Sequence, residues 1–344
     1  MKLGIIGLPQ SGKTTVFEAL TKNISESSHK GEDRIGTIRV PDSRIDKLSA
    51  MYEPQKTTFA QVEYFLPGTA KAKKDQAADQ SIWTAVRDCD ALIHVIRNHA
   101  VAGFEEKSPY ERFRHLDQEL ILSDLVVVEK RLERLDLDHK RGKKMDPEEQ
   151  GLLIDCRRNL EDEIPLRRVP DLSAARQLRG FALLSAKPMM ILFNNDDEDE
   201  GLPEINHLTE TEECLVIRAK LEHELAQMPP EDAAAFLGEF NISESATDRV
   251  IRKSYELLGL ISFFTIGKDE VRAWTIKKAT QAVDAAEAVH SDMKKGFIRA
   301  EILAYNDLME AGSYAEARKK GTVRLEGKTY EVKDGDIINF RFNV

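Results

Sequence analysis

The chain has 344 residues, of which 41% are hydrophobic and 32% are charged, a composition that excludes wholesale disorder. A chain of this length accommodates about two or three domains. Its 50 Lys and Arg residues stand against 60 Asp and Glu residues, and the net charge of -10 excludes binding of nucleic acid by overall electrostatics. Any contact with RNA must therefore come from a local patch.

Cysteine usage and hydropathy indicate where the protein works. Cys89, Cys156 and Cys214 lie far apart and form no C-x-x-C pair. This spacing favours neither a disulfide framework nor a zinc site, so we expect a reducing compartment. The apolar start of the chain is too short for a signal peptide, and no run reaches the roughly 20 apolar residues of a membrane span. We therefore expect a cytoplasmic protein without a membrane partner.

The first predicted element is a short buried strand, Leu3 to Ile6, which leads into a phosphate-binding loop. Residues 7–14 read G-L-P-Q-S-G-K-T and match G-x-x-x-x-G-K-[ST] in full. A helix from Lys13 follows and adds the positive end of its dipole. We predict that Lys13 reaches the β- and γ-phosphates and that Thr14 ligates Mg²⁺, so these two are the candidate catalytic residues. The candidate nucleotide-binding residues here are Gln10, Ser11, Gly12, Lys13, Thr14 and Thr15.

The segment from Pro109 to Ile164 is predicted to form two antiparallel helices. Apolar side chains recur at alternating steps of four and three at Ile121, Leu125, Val128, Leu132 and Leu135, a heptad seam. Helical spacing resumes, after a polar link, at Leu153, Cys156, Leu160 and Ile164. The helix faces are dense in charge, which fits either a partner-binding arm or a simply solvated surface.

A second apolar run of strand length, Lys187 to Phe193, ends in Asn194-Asn195-Asp196-Asp197, where a GTPase carries its base-reading N-K-x-D motif. The lysine is missing. The Asp197 carboxylate can accept hydrogen bonds from both N1–H and N2–H₂ of guanine, a donor pair that adenine lacks. The alternative is a merely solvated acidic loop, since residues 196–200 are a run of charge.

A further predicted strand, Cys214 to Ile217, ends in a sequence close to the S-A-K loop whose backbone touches the base in GTPases. The order of P-loop, N-x-x-D and x-A-K predicts a GTPase-type domain. The candidate base-side residues are Asn194, Asn195, Asp197, Arg218, Ala219 and Lys220.

The C-terminal region is predicted to be a small antiparallel sheet. Residues 322–326 and 329–332 alternate in polarity across a Gly327-Lys328 turn, and a strand from 337 to 342 follows a second turn. Basic residues interleave with Trp274, Phe297 and Phe340, which fits a local RNA surface. The sequence leaves open the alternative that the aromatics are core and the lysines solvated.

The motif order and the C-terminal sequence resemble the Obg-like ATPases, the YchF group of translation-factor P-loop proteins. The match is closest in 270–276, 295–301 and 334–344, and it extends over essentially the whole chain. The resemblance implies an α/β fold: a P-loop G domain with a mostly parallel sheet, an inserted antiparallel helical hairpin and a C-terminal β-grasp (TGS) domain. It also implies hydrolysis of ATP and often GTP, and association with the ribosome.

Domains and partners follow from the resemblance. We predict a discontinuous G domain in 1–108 and 170–260, a helical coiled-coil insertion in 109–169 and a TGS domain in 261–344. The expected ligands are a purine nucleotide, GTP or ATP, and Mg²⁺. The expected partner is the ribosome or RNA, reached through the TGS domain and the helical arm, and no DNA partner is expected.

One departure from the family pattern concerns Mg²⁺. Where the family has a strand ending in D-x-x-G, this chain reads V-E-Y-F-L-P-G over 62–68, so Phe65 stands in place of the aspartate. We expect weakened binding of Mg²⁺ and slow hydrolysis. Glu63 lies one strand repeat further from the phosphates and is not expected to replace the lost carboxylate.

Other departures concern the switch segments. Thr69, which follows Gly68, is too short to orient a water molecule, and residues 70–76 lack the glycine-rich run of the family's second switch. The first switch, 24–31, is compressed. The weak candidates for sensing Mg²⁺ are Ser28 within it and Thr37 after it, and the weak candidate for acting on water is His29. Movement of the switches is therefore in doubt.

Two classes of function compete at this point. One is a slow NTPase that acts as a nucleotide-dependent switch on the ribosome. The other is a hydrolysis-deficient pseudo-GTPase that holds a nucleotide structurally while its TGS domain and arm bind RNA or protein. The family's N-x-x-E motif goes with ATP, whereas Asp197 is the guanine-type residue, so the sequence favours GTP and leaves use of both open.

Overall fold

The computed structural model of the protein describes residues 1–23, 31–68, 82–100, 107–144, 146–205, 207–239 and 244–343. The chain divides into two compact units, Met1–Thr37 with Glu63–Val250 and Ile38–Val62 with Ile251–Val344. Each unit is built around one six-stranded sheet. No helix in the part of the chain that the structure describes is both long enough and apolar enough to cross a membrane.

The elements are numbered in chain order over the described residues. The strands are β1 Lys2–Ile6, β2 Arg34–Arg39, β3 Lys56–Thr58, β4 Gln61–Leu66, β5 Ala91–Asn98, β6 Met189–Asn195, β7 Glu213–Ile217, β8 Leu260–Ile266, β9 Glu270–Lys277, β10 Phe297–Ala304, β11 Arg324–Glu326 and β12 Asp336–Phe342. The α-helices are α1 Lys13–Thr21, α2 Ser43–Tyr52, α3 Pro109–Lys140, α4 Pro147–Glu161, α5 Pro170–Ser173, α6 Ala219–Gln227, α7 Pro230–Glu239, α8 Ala246–Leu257, α9 Ala282–Val289, α10 Ser291–Lys295, α11 Tyr305–Ala311 and α12 Tyr314–Lys319, with a further helical stretch at 82–86. Short 3₁₀ turns are Leu166–Arg168, Arg176–Phe181 and Leu208–Glu210.

The first sheet has the strand order β2-β4-β1-β5-β6-β7, and β1 pairs in parallel with both β4 and β5. The pairs β5–β6 and β6–β7 are also parallel, as the sequence predicts. All seven residues of β6 are buried, because a parallel sheet is covered on both faces. Since β1 lies between β4 and β5, the chain connections diverge at its carboxyl end, the usual place for a ligand crevice in an open α/β sheet.

The predicted helical pair is present as α3 and α4, joined by a short link. Buried side chains of both helices form one hydrophobic cluster, which includes Ile121, Val128, Leu132, Leu135, Leu153, Cys156 and Leu160. A capping box between Ser108 and Glu111 begins α3. The predicted seam fails only at Ile164, which is 38% exposed because α4 ends at Glu161.

Buried charges fix the root of this hairpin to the sheet-bearing part of the first unit. The Arg167 guanidinium, with a side chain only 6% exposed, lies 2.8 Å from both Asp117 of α3 and Glu212 just before β7. Asp124 of α3 accepts hydrogen bonds from the backbone N–H groups of Leu184 and Ser185 at 2.9 and 2.6 Å. Removing one partner of such a network leaves an uncompensated buried charge, which destabilises by about 3–5 kcal/mol. The root is therefore rigidly held.

The second unit has a sheet of order β11-β10-β12-β8-β9-β3. Phe297 and Phe340 belong to its hydrophobic cluster together with residues of α9, and Trp274 packs partly buried against the same cluster. Phe297 and Phe340 are therefore core side chains and Trp274 lies partly buried beside them, while RNA binding by the basic residues of this region stays a prediction.

The predicted hairpin between 322–326 and 329–332 is wrong. Strand β11 pairs antiparallel with β10, and residues 329–332 form no strand. Their backbone instead bonds to the segment before α9, where Ala282 N donates to Tyr330 O at 2.7 Å and Val332 N donates to Thr280 O at 3.0 Å. The strand predicted after the second turn forms as β12.

The segment Ile38–Val62 joins the second unit, which its position in the sequence does not indicate. Strand β3 pairs in parallel with β9. In addition, the Arg44 guanidinium of α2 lies 2.6 Å from the Asp334 carboxylate, and Thr58 donates a 2.6 Å hydrogen bond to Glu270. The boundaries predicted for the G domain, the insertion and the TGS domain remain predictions.

The hairpin seam yields a stability test with a matched control on the adjacent residue. Leu153 is fully buried, whereas Ile154 is 43% exposed. Leu153→Ala removes buried methyl groups and leaves a cavity, so we expect it to lower the free energy of unfolding by about 3 kcal/mol. Ile154→Ala should cost less than about 1 kcal/mol. Urea denaturation followed by circular dichroism measures both, and equal losses would mean that the seam does not pack as described.

Candidate nucleotide-binding site

The predicted P-loop connects β1 to α1 at the carboxyl edge of the first sheet. Two of its residues have left-handed backbone, Gln10 at φ 62° and Gly12 at φ 88°. Glycine is required at position 12, because a Cβ there would lie 2.3 Å from Asn194 Nδ2. Gln10, by contrast, holds a conformation that is uncommon for a residue with a side chain. The loop is thus held in one shape by its neighbours.

Lys13 begins α1 and folds back over the loop. Its Nζ donates to the backbone oxygens of Gly7 at 3.1 Å and Leu8 at 3.4 Å. Burial lowers the pKa of Lys13 from its ordinary value, because the ammonium is poorly solvated there. An anion bound in the loop would offer the ammonium charged acceptors in place of neutral carbonyls. Thr14 is exposed and Thr15 half-buried in the first turn of α1.

Asn194 joins the three predicted motifs. Its side chain is buried near the end of β6, and its Nδ2 donates to the backbone oxygen of Ser11 at 3.2 Å. Its Oδ1 accepts a hydrogen bond from the backbone N–H of Ala219 at 3.1 Å. One side chain therefore connects the P-loop, the N-x-x-D segment and the start of α6.

The loop that carries Asp197 is fastened to the start of α6. Arg218 donates to the backbone oxygen of Asp197 at 3.2 Å and pairs with Glu200 at 2.8 Å. Lys220 Nζ lies 3.4 Å from Asp197 Oδ2. The other carboxylate oxygen, Oδ1, is inaccessible to solvent and has no hydrogen-bond partner among the described residues. The Asp197 side chain as a whole is 39% exposed, so a ligand reaches its accessible part and not Oδ1.

The Asn195 side chain fastens the loop that carries Asp197 through hydrogen bonds. Its Nδ2 donates to the backbone oxygens of Gly201 at 2.8 Å and Asp199 at 3.2 Å, and its Oδ1 accepts from Asn98 Nδ2 at 2.9 Å. All these contacts are within the protein. A direct contact of Asn195 with a nucleotide stays a prediction.

The side of the site that would hold Mg²⁺ offers few ligands. Phe65 pairs with Gly4 and is buried in the hydrophobic cluster of the first unit, while Glu63 pairs with Lys2, two residues further from the P-loop. Over the described ranges, no group of three or more His, Cys, Asp or Glu side chains could hold a metal ion. The donor set from the sequence motif is thus the Thr14 hydroxyl, which fits Mg²⁺ only when nucleotide phosphates supply further oxygens.

The remaining switch candidates are mostly untested. Thr37 lies exposed in β2, separated from β1 by β4. Ser28, His29, Thr69 and the segment 70–76 lie outside the described residues.

Arg97 is a candidate functional residue that sequence reasoning missed. It lies near the end of β5 in register with Asn194, is 5% exposed, and makes a long hydrogen bond of 3.5 Å to Gln10 Oε1. A buried guanidinium beside the P-loop adds positive charge where phosphates are expected. The available signal was a single arginine that closes an otherwise apolar run, 91–96, apart from His94.

His94 is the second missed residue. It is 1% exposed on β5, and its ring stacks on Phe113 with centroids 6.0 Å apart. Within the described part of the chain, neither ring nitrogen nor the Ser11 hydroxyl has a hydrogen-bond partner, and both side chains border a cavity of about 10 Å³ beside the P-loop. Burial lowers the pKa of His94 to about 3, so the ring is neutral at pH 7.

This buried histidine predicts an acid sensitivity. Because the folded pKa lies below the ordinary value of about 6.5, the stability that His94 contributes is present above pH 6.5 and is lost as the pH falls towards 3. His94→Leu removes this loss. As the pH falls from 7.5 to 5, the wild type should lose about 2 kcal/mol more of its free energy of unfolding than the variant does.

Urea denaturation at several pH values measures the effect. The matched control is His115→Leu, since the His115 side chain is 56% exposed on α3. Parallel pH profiles for the wild type and His94→Leu would contradict a neutral buried ring.

The fold and this geometry define a P-loop nucleotide-binding protein. The family model YchF-GTPase_C, described as a protein of unknown function, matches residues 260–343. The "Ribosome-binding ATPase YchF" of Bacillus subtilis is 37% identical over 361 residues, which cover 99% of each chain. Its namesake in Escherichia coli O157:H7 is 35% identical over 361 residues, 100% of this chain and 99% of that protein.

Similarity in structure agrees with similarity in sequence. The solved structure of the Schizosaccharomyces pombe YchF GTPase superimposes with a TM-score of 0.84 and 26% identity, covering 99% of this chain and 97% of that one. The chain belongs to the YchF family.

Proposed function

We propose that the protein is a slow nucleoside triphosphatase that binds a purine nucleotide and acts as a switch on the ribosome. The observation that carries the nucleotide part is the double hydrogen bond of Asn194 to Ser11 and Ala219, which holds the phosphate loop and the base loop in one site. The relatives' names support hydrolysis, since those of Bacillus subtilis and Escherichia coli are called ATPases and that of Schizosaccharomyces pombe a GTPase.

The phosphates are assigned to the P-loop. Lys13 would exchange its two backbone acceptors for β- and γ-phosphate oxygens, and the N–H groups at the start of α1 would bind the same anion. Thr14 would contribute its hydroxyl to Mg²⁺, which supplies charge neutralisation when bound. Further nucleotide contacts are proposed for Gln10, Ser11, Gly12 and Thr15. The Arg97 guanidinium would hold Gln10 in its left-handed conformation.

The base is assigned to Asp197 and its neighbours. The Asp197 side chain is 39% exposed, and guanine offers a carboxylate two adjacent N–H donors, whereas adenine offers one amino group. Lys220 neutralises the second carboxylate oxygen and lies 75% exposed at the rim. Arg218 and Ala219 fix the loop. We therefore infer a preference for GTP with ATP accepted, which agrees with relatives named for either nucleotide.

The ribosome is the proposed partner, because the Bacillus subtilis and Escherichia coli relatives are named ribosome-binding. The cytoplasm is then the proposed location. RNA contact through the second unit, the proposed TGS domain, is supported by Arg299 and Arg341, which lie exposed and directly opposite each other on β10 and β12. Arg341 also pairs with the buried carboxylate of Glu301 at 3.0 Å, so its charge stabilises the sheet, and the RNA contact is proposed mainly for Arg299.

A second candidate function is favoured by Phe65. A buried phenylalanine in place of the metal-holding aspartate leaves β4 without a ligand for Mg²⁺. A protein of this kind would hold a nucleotide without hydrolysing it and serve as a scaffold for RNA or protein.

The variant Lys13→Ala tests nucleotide binding. Loss of the only P-loop side-chain cation should lower affinity for GTP and ATP analogues at least a hundredfold, because a charge-assisted contact with phosphate is lost. Isothermal calorimetry with and without Mg²⁺ measures the change. Lys47→Ala, at an exposed position of α2, is the control with the same change of charge. Unchanged affinity in Lys13→Ala would overturn the site.

Phosphate release over hours by the same wild-type sample separates the two candidate functions. Slow release that depends on Mg²⁺ supports the triphosphatase. Tight binding that ignores Mg²⁺ and yields no phosphate would establish the scaffold.

The variant Asp197→Asn tests the assignment of the base. An amide in place of the carboxylate keeps one acceptor and gains a donor, so the ratio of GTP to ATP affinity should fall roughly ten- to a hundredfold. Asp196→Asn is the matched control, because its side chain is exposed one residue earlier in the same loop. An unchanged ratio in Asp197→Asn would show that the carboxylate does not contact the base.

A further inference from the structure

The end of the helical hairpin furthest from its buried root carries concentrated positive charge. Four basic residues, Lys140, Arg141, Lys143 and Lys144, fall within five positions, and Gly142 separates them. We call residues 140–144 the tip. All five are exposed, and Gly142 turns the chain with φ +80° and open space around its Cα.

The charge of the tip is poorly neutralised. Lys143 pairs with Asp138 at 2.9 Å but remains 65% exposed. For Lys140, Arg141 and Lys144, no ion pair occurs within the described ranges. Asp136, Asp138, Asp146, Glu148 and Glu149 flank the tip in the sequence, so the positive charge is confined to residues 140–144.

Helix stability explains only part of this pattern. Lys140 closes α3, where a cation interacts favourably with the negative end of the helix dipole. Lys143 and Lys144 lie beyond α3 and just before Asp146, the N-cap of α4. A cation next to a helix N-terminus is unfavourable, and neighbouring like charges repel. Lys143 offsets this cost through its pair with Asp138, whereas Lys144 has no such pair within the described ranges.

The hairpin presents this charge from a rigid support. Asp124 and Arg167 anchor its root through buried hydrogen bonds and ion pairs. From Asp124 to the tip, α3 extends about 24 Å at a rise of 1.5 Å per residue. Along that length the two helices pack through the buried seam. The two packed helices therefore hold the tip at a fixed distance from the root.

We propose that the tip binds the phosphodiester backbone of RNA, which under the proposed function is ribosomal RNA. Ammonium and guanidinium groups match phosphate oxygens, and such contacts are independent of base sequence. An interface with a protein partner would instead be expected to bury aromatic or aliphatic side chains of the tip. The tip carries four cations and no apolar side chain, and the 53% exposed Leu137 lies three residues before it, so the balance of the chemistry favours RNA.

The test replaces the four tip cations together. The variant K140Q/R141Q/K143Q/K144Q removes four positive charges at exposed positions and leaves the seam, the root and the nucleotide site unaltered. The matched control, K107Q/R158Q/R176Q/R179Q, removes the same charge from exposed basic side chains of the first unit outside the tip. Binding of GTP and ATP analogues by all three proteins verifies that each is folded.

The readout is the affinity for purified ribosomes over a series of KCl concentrations. Each lost phosphate contact lowers the slope of log affinity against log salt by about 0.7–0.9, so four contacts predict a fall of about 3 for the tip variant. Its affinity at 0.1 M salt should fall at least tenfold. The control variant should retain the wild-type slope.

Different outcomes separate the tip from the proposed function. If the wild type binds ribosomes and the tip variant keeps the same slope, or the control loses as much, the tip proposal fails and the proposed function stands. If the wild type does not bind ribosomes, the proposed function fails, and the same salt series on naked ribosomal RNA decides the tip. If tip-dependent binding occurs on ribosomes but not on naked RNA, the partner is a protein and the RNA proposal is overturned.

Discussion

The candidate site depends on one buried amide. Asn194 donates to the P-loop through Ser11 and accepts from Ala219, and its amide nitrogen fits there because Gly12 has no Cβ. The constraint is mutual. Gly12 adopts its left-handed backbone where any side chain would collide with the amide, and the amide is oriented by the backbone groups at either end. The three segments come from distant parts of the chain, so their assembly in one place requires the parallel sheet to be complete.

The phosphate and metal sides of the site are built unequally. The P-loop is held by neighbours on two sides, with Asn194 at one end and Arg97 beside Gln10. On β4, by contrast, the position next to the loop is filled by Phe65, which stabilises the core of the first unit and offers no ligand. The proposed weak binding of Mg²⁺ and slow hydrolysis rest on this buried Phe65.

Local sequence patterns predicted the elements whose signals are short and strong. Apolar periodicity predicts β6, β7 and the hairpin seam. The P-loop follows from residue types that fit a single loop conformation. The errors come from long-range pairing. Residues 329–332 alternate like a strand, yet their backbone bonds to the segment before α9, and 56–58 joins a sheet formed by residues 200 positions later. Neither partner is visible from the neighbouring sequence.

Within the site, the sequence identified the residues of the motifs but not those that support them. Arg97 and His94 interrupt a run of apolar residues on a buried strand, and only the register of β5 with β1 and β6 places them beside the P-loop. The same holds for Asn195, whose side-chain bonds shape the acidic loop from within. Supporting residues are recognised by contacts, and a sequence alone does not supply contacts.

The hairpin has a charged root and an apolar seam, so its attachment to the sheet and its length depend on different residues. The residues of α3 that share a hydrophobic cluster with the sheet are Phe113, Leu116 and Leu120, all within its first four turns. Beyond them the helices pack mainly on each other and on the turns that follow α4. Whole heptads added to or removed from both helices would preserve the seam register. The length of the hairpin can therefore change while the residues of the candidate nucleotide site keep their contacts.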